Sequence, residues 1–569
     1  MKKATSIRLG VGAVAVALVL SACGGGSGSA ASGTKGGTLT FLTEAEQILH
    51  LDPQRNYTGE DLAFASGYLN RTLTQYTLSK DNNEASKLVA DAATDTGTPS
   101  ADSKSWSFTL KDGLKWQDGS AVTCEDFKYG VSRTFATDII TDGPTYAISL
   151  LDIPKDADGN SIYKGPYVSD AAGQAAYDKA VTCEGNKITF NLAAPSTDFN
   201  YTVTLSAFAA VPKAADKGEG YDDAVVSNGP YKIESYVKKD KLVLVRNDQW
   251  DPATDTFRKA LPDRIEYIFA QPAAVITQRL MADAGADAQA LSPDSVDPAQ
   301  LSVVFSDAKY EKRRFNELDP YVRYYAINTK KVPNVKHRQA ILACLDREAL
   351  RKIAGGEYAG DYADGVIKPN IGMDYAPTGL WDSLLGDKIE PTGNVDLGKK
   401  LIADSGEAFP NPLVFDYGKS EVNDKAAAAV VAGLERCGIT VQPNGIEPGA
   451  YYGVVMDPTK QGGMSAAGWA PDWVNASTVI PELFGKGGFN LSQYNDDAFN
   501  AEVDAAKALT DRAAQAKAWQ ALSKKSMELA LAAPTRFGLE QRLVGSKIEN
   551  AYIWGPYGSW PYAILGVNK

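Results

Sequence analysis

Histidine is nearly missing from this chain of 569 residues, with only His50 and His337 present. Neither stands in a Ser/His/Asp arrangement or at metal-ligand spacing, which removes the commonest route to hydrolytic or metal-assisted chemistry. Cysteine is scarce too, with five in all, and none has a Cys or His neighbour at the spacing a metal site uses. No metal or cofactor is called for, and carboxylate pairs in so acidic a chain carry no specificity, so the chain reads as a non-enzyme. Basic residues are outnumbered, 58 to 70, for a formal charge of −12. No basic stripe can track a phosphate backbone, so nucleic acid is excluded as a partner and the acidity is read as serving solubility. Beyond the first twenty residues no apolar run is long enough to span a membrane.

What is present begins with an address. Lys2, Lys3 and Arg8 precede an apolar stretch from Leu9 to Leu20, followed by Leu20-Ser21-Ala22-Cys23. That order reads as a secretory signal, residues 1–22, too short to span comfortably. Small residues before Cys23 resemble the bacterial lipoprotein signal, in which the thiol takes a diacylglycerol and the new amino terminus is acylated. Gly24 to Gly37 is almost wholly Gly, Ser, Ala and Thr, a flexible tether with a reach of about 20 Å. The mature protein is thus expected at the cell membrane, facing outward and held by lipid on Cys23. Losing the three positive side chains of the leader takes its charge near −15.

The remaining cysteines, Cys124, Cys183, Cys344 and Cys437, are even in number in an oxidising compartment, and three pairings are open. Ala121-Val122-Thr123-Cys124-Glu125 recurs as Ala180-Val181-Thr182-Cys183-Glu184. This echo favours Cys124 with Cys183 and Cys344 with Cys437, each contributing on the order of 3 to 4 kcal/mol by constraining the unfolded chain.

Roughly 530 residues exceed what one core usually organises. Strand patterns at 37–42, 105–110, 187–192, 231–237, 241–246, 264–269 and 413–417 alternate with helical spacing at 337–353, 425–436, 497–508 and 511–531. Thr123 is placed to cap a helix that Asp126 helps to start, and 534–537 reads as a strand-like return after the last long helix. Mixed elements throughout give an α/β protein.

The run Trp106-Ser107-Phe108-Thr109-Leu110-Lys111-Asp112-Gly113-Leu114-Lys115-Trp116-Gln117-Asp118-Gly119, continuing through Val122 to Phe127, resembles the signature of family 5 solute-binding proteins, the extracytoplasmic receptors of peptide and nickel ABC importers. Leu51-Asp52-Pro53, Asn228-Gly229-Pro230-Tyr231-Lys232, and Val335 to Ile341 followed by Asp346-Arg347-Glu348 match in order. Cys124 departs from the alanine usual there. The resemblance implies a two-lobed periplasmic-binding-protein-like fold of type II, from the large peptide-binding cluster. Its division would be 38–78, 195–325 and 530–569 for lobe I, 79–194 for an extra subdomain and 326–529 for lobe II.

By the same resemblance the chain is a monomeric lipoprotein that encloses an oligopeptide between its lobes and delivers it to an ABC permease. In Gly468-Trp469-Ala470-Pro471-Asp472-Trp473, Asp472 would pair with the α-ammonium of the peptide, and Trp469 and Trp473 would wall the site. Tyr146 in Pro144-Thr145-Tyr146-Ala147, Asn490, Tyr494 and Tyr57 are further contact candidates. No arginine stands just before Trp469 to anchor a ligand carboxylate. The same fold with an oligosaccharide, nickel or haem ligand, or a peptide-signal receptor without import, are the competing readings.

Overall fold

The structure is a computed structural model that describes residues Gly33–Lys569, one compact unit. The leader and Cys23 lie outside the described residues. Among those described, no helix is long and apolar enough to cross a membrane.

Three larger sheets carry the fold. In the first, Thr38–Leu42 lies between Ala290–Leu291 and Arg264–Ile268, both parallel to it, and Lys241–Arg246 and Tyr231–Val237 extend the sheet antiparallel. Alternation in Thr38–Leu42 puts Leu39 and Phe41 in the core, Phe41 stacked 4.4 Å from Tyr267. The second sheet, in the order Thr98–Pro99, Ser105–Thr109, Lys187–Asn191 and Val181–Glu184, buries Trp106, Phe108, Ile188 and Phe190. Its turn residues Gly113 and Gly119 adopt φ of 81° and 91°, a region closed to most side chains. Helix Cys124–Arg133 follows with a full capping box between Thr123 and Asp126.

The third sheet has six strands. Arg314–Ile327 and Ala532–Leu543 form its spine, flanked by Gly360–Tyr362 on one side and by Met464–Trp469, Leu413–Gly418 and Val441–Ile446 on the other. The two spine strands pair antiparallel over nearly their full length, and Leu291 bridges to Val544 at their far end, so they connect the first sheet with the third. Register slips between Leu318 and Val322 and again at Arg323/Tyr324. The ammonium of Lys368 fills the first slip, donating to the carbonyls of Asp319, Tyr321 and Gly538 and to the Asp319 carboxylate at 2.8 Å. The helical pattern over 337–353 is two helices, Val335–Cys344 and Arg347–Ile353, because Asp346 leaves helical geometry to cap the second by accepting from Ala349 N. The return at 534–537 is the middle of the long strand Ala532–Leu543.

Two disulfides are present, Cys124–Cys183 and Cys344–Cys437, at Cα–Cα distances of 5.9 and 6.3 Å. The second explains an otherwise unfavourable glycine inside helix Val395–Asp404. A Cβ on Gly398 would stand 2.1 Å from the Cys344 sulfur and 2.9 Å from that of Cys437. Alanine is the better helix former by about 1 kcal/mol. Nonetheless, Gly398→Ala is expected to lower the unfolding free energy by about 1–3 kcal/mol through overpacking, measured by denaturant titration. An increase would show that the helix does not rest on the disulfide.

Candidate functional site

Three separate stretches converge on one carboxylate. Asp52, in Leu51-Asp52-Pro53, takes a bidentate pair from Arg133 at 2.6 Å, both side chains fully buried. This fixes the segment that leads to Tyr57, directly before Thr58, whose hydroxyl caps helix Gly59–Tyr68. Gly143 lies so close to that segment that a Cβ would sit 1.8 Å from the Gln54 carbonyl. Only glycine allows that approach, which sets Tyr146 at the start of helix Tyr146–Leu150 beside Tyr57. From the third sheet, strand Met464–Trp469 runs into the loop that carries Asp472.

The hydroxyls of Tyr57 and Tyr146 both donate to Asp472, one to each carboxylate oxygen. No basic side chain forms an ion pair with Asp472 among the described residues. Burial pushes the Asp472 carboxyl up from its ordinary range; the two phenols pull it back and the Glu482 charge adds to the rise. Burial first, and then the Asp472 charge, push both tyrosine hydroxyls up as well. The phenols are therefore held as neutral donors to a carboxyl group that has no ion pair among the described residues.

A cavity of about 360 Å3 opens on this carboxylate, walled by Tyr57, Pro320, Tyr321, Tyr452, Trp469 and Phe489. Trp469 is oriented by its indole N–H, which donates to the Thr478 carbonyl at 2.8 Å, and its ring lies 5.1 Å from Phe489. A second cavity of about 500 Å3 lies past Tyr146 and includes Trp473, Asp198 and Glu482. The loop after Asp472 is firmly held: Trp473 donates to Asp198 at 3.0 Å, Val474 N to the Tyr76 hydroxyl at 3.1 Å and Ala476 N to Asp374 at 2.7 Å.

Of the residues singled out by sequence, Asp472, Tyr57, Tyr146 and Trp469 come together. Trp473 is buried behind them, its ring edge-on to Tyr146 at 4.8 Å, so it braces Tyr146 instead of facing the first cavity. Asn490 and Tyr494 line a neighbouring hollow with Gly485 to Gly488, where the Asn490 amide donates to the carbonyls of Gly485 and Tyr494 at 2.8 Å. Their loop reaches the first cavity through Phe489. Tyr321 and Tyr452 were not anticipated; their one signal is exposure of large aromatic surface, 41% and 56%, which sequence does not display. His50, bonded to Asp222 at 2.6 Å, ties down the start of the segment that leads to Tyr57, and His337, in helix Val335–Cys344, bonds Ser405 at 2.8 Å.

Residues 87–490 match the family described as bacterial extracellular solute-binding proteins, family 5, middle region. The periplasmic oligopeptide-binding protein OppA of Salmonella typhimurium strain LT2 is 26% identical over 75% of this chain and 76% of its own. The oligopeptide-binding protein OppA of Bacillus subtilis strain 168 is 24% identical over 88% of both. Among solved structures, clavulanic acid biosynthesis oligopeptide binding protein 2 superposes with a TM-score of 0.84 at 26% identity, covering 95% of this chain and 97% of its own. These similarities identify the type II periplasmic-binding fold.

A carboxyl whose folded pKa is raised binds its proton more tightly folded than unfolded. Its ionised form therefore costs the ligand-free protein stability at neutral pH, and stability is regained as pH falls through the raised value. Asp472→Asn should leave the ligand-free protein at least as stable as wild type at pH 7, with any gain shrinking as pH falls from the raised value to the ordinary carboxylate range. Thermal unfolding across pH checks this; a loss above about 1 kcal/mol at pH 7, under one pKa unit in energy, would contradict it.

Proposed function

The chain belongs to the family 5 bacterial extracellular solute-binding proteins, and from that premise we propose that it captures oligopeptides by their amino terminus and hands them to an ABC permease. As a member of a solute-binding family it is a binding protein, not an enzyme. The observation that carries the peptide reading is Asp472, a partly buried carboxylate held by two neutral phenols with no cation beside it among the described residues. An α-ammonium supplies the missing charge, and an ion pair formed away from water is far stronger than an exposed one. Aromatic walls beside it accept side chains of varied shape with little demand on sequence.

The names of the relatives point the same way, since both OppA proteins and the superposed structure are oligopeptide-binding proteins. A saccharide could use the aromatic walls, but it has no cation to offer Asp472. A nickel complex would look for histidine, and neither histidine lines this cavity.

The lobes are taken to divide as 38–78, 195–325 and 530–569 against 326–529, with 79–194 as a subdomain of the first. Strand Arg314–Ile327 passes from the first lobe into the second at 325/326, and strand Ala532–Leu543, which follows the return at 530, pairs with it along that boundary as a hinge. Ligand contacts from Tyr57 and Tyr146 on one side and Asp472 and Trp469 on the other favour the closed form, so binding shifts a hinge equilibrium. The closed monomer then docks on its permease, kept within reach by the lipid on Cys23.

Two outcomes are expected. Calorimetry with a mixed oligopeptide library should show binding that Asp472→Ala weakens by more than about 2 kcal/mol, the scale for losing a desolvated charged partner. Amino-acetylated peptides should fail to compete, and equal affinity for acetylated and free peptides would remove Asp472 from this role. Separately, Cys23→Ser should release the mature chain from the cell membrane into the medium. Retention of that variant would place the anchor elsewhere.

A further inference from the structure

The second lobe receives a short tab from the first. Residues 197 and 198 follow strand Lys187–Asn191 of the second sheet and are pinned on that side by Ser196 and Phe199. The Ser196 amide donates to the Ser103 carbonyl at 3.0 Å, and its carbonyl accepts from the Trp106 indole N–H at 2.8 Å. Phe199 is fully buried, its ring 5.2 Å from Phe190. The tab is therefore firm where it leaves its own lobe, and its two side chains bond into the other.

Across the division, one Asp198 oxygen accepts from the Trp473 indole N–H at 3.0 Å and from the Ser477 hydroxyl. The Thr197 hydroxyl donates to the Lys507 carbonyl at 3.0 Å and accepts from the Gln515 amide at 2.9 Å. Gln515 accepts in turn from the Asn475 amide at 3.1 Å. Asp198 is buried, yet no cation pairs with it among the described residues. Bonds to neutral donors exchange with water at a modest net cost each. Water has a route to them, because the seam borders the cavity of about 500 Å3 whose rim includes the exposed Asp504 and Lys507. The seam is built to part and re-form.

It also reaches the binding site. Asp198 is not a wall of the Asp472 cavity. It holds Trp473, whose ring lies edge-on at 4.8 Å against Tyr146, a donor to Asp472. It holds Ser477 in the turn Ala476–Thr478 as well, and the Thr478 carbonyl orients Trp469. Residues on both flanks of Asp472 are thus fixed from one carboxylate in the opposite lobe.

We infer that the 197–198 tab is a ligand-independent latch, which holds the empty receptor toward its closed form and slows ligand release without touching the ligand at Asp472. This rests on the lobe division and hinge reading above. Asp198 is then a positioning residue: closure brings it onto Trp473 and Ser477, and the Asp472 site is ordered as the lobes meet.

The test begins without ligand, by small-angle X-ray scattering of the mature chain. Asp198→Ala should raise the radius of gyration by about 0.5 Å or more over a wild-type value of about 24 Å, the size of a compact chain this long. Stopped-flow tryptophan fluorescence with a mixture of alanine tri-, tetra- and pentapeptides gives the second readout. Asp198→Ala should speed release at least about fivefold and leave association within about twofold, because a latch acts on the closed, bound form. A merely structural role would lower the unfolding temperature without changing the shape of the folded protein. Trp473→Phe deletes the indole N–H and keeps the ring, so it reads the same bond from the other lobe and decides the matter should Asp198→Ala fail to fold. Unchanged ligand-free scattering, or unchanged release, would overturn the latch while leaving peptide capture standing. If wild type bound none of the peptides, the peptide reading would fall instead, and scattering alone would decide the latch.

Discussion

A carboxylate removed from water without a cation beside it costs several kcal/mol unless hydrogen bonds or a partner offset the loss. Asp472, partly buried and without an ion pair among the described residues, carries part of that cost, and much of the surrounding structure is arranged around it. Two phenols hold it, and each comes from a segment fixed by fully buried or sterically tight contacts: the Asp52–Arg133 pair behind Tyr57 and the Gly143–Gln54 approach behind Tyr146. The loop beyond it is tied to Asp198, Tyr76 and Asp374. Such preorganisation keeps the acceptor aimed at the cavity, so a ligand's charge meets a site whose ordering cost is already met by the fold.

The spine strands join the first and third sheets beside this site. Their pairing slips where Asp319, Pro320 and Tyr321 pass Gly538, and Lys368 gathers the carbonyls left by the slip. Burial pushes the Lys368 ammonium down to about 8, with Asp319 pulling the other way. Pro320 and Tyr321, inside the slip, are walls of the Asp472 cavity. The guanidinium of Arg323, just past it, lies 4.3 Å over the Tyr321 ring. The irregular part of the sheet is thus where the cavity wall and strand geometry meet, as expected of bulges that re-aim side chains.

Much of the fold was legible because its signals are local. Alternation at 38–42, the Thr123 capping box and the echo around Cys124 and Cys183 each need only a few neighbouring residues to be read. Asp472, Trp469, Tyr57 and Tyr146 were singled out by segment resemblance, and the fold brings them together. The break at Asp346 was hidden because apolar spacing continues across it, while one side-chain cap decides the boundary. Trp473 bracing Tyr146 and the separate hollow around Asn490 follow from loop paths that residue spacing does not encode.

The central claim is that Asp472 waits for the ammonium of a peptide. Mass spectrometry of whatever small molecule copurifies with the protein from its own cells, before and after amine-selective labelling, tests it most directly. The account predicts oligopeptide masses that each gain one label at the amino terminus. Saccharides, metal chelates or peptides with blocked amino termini would contradict it.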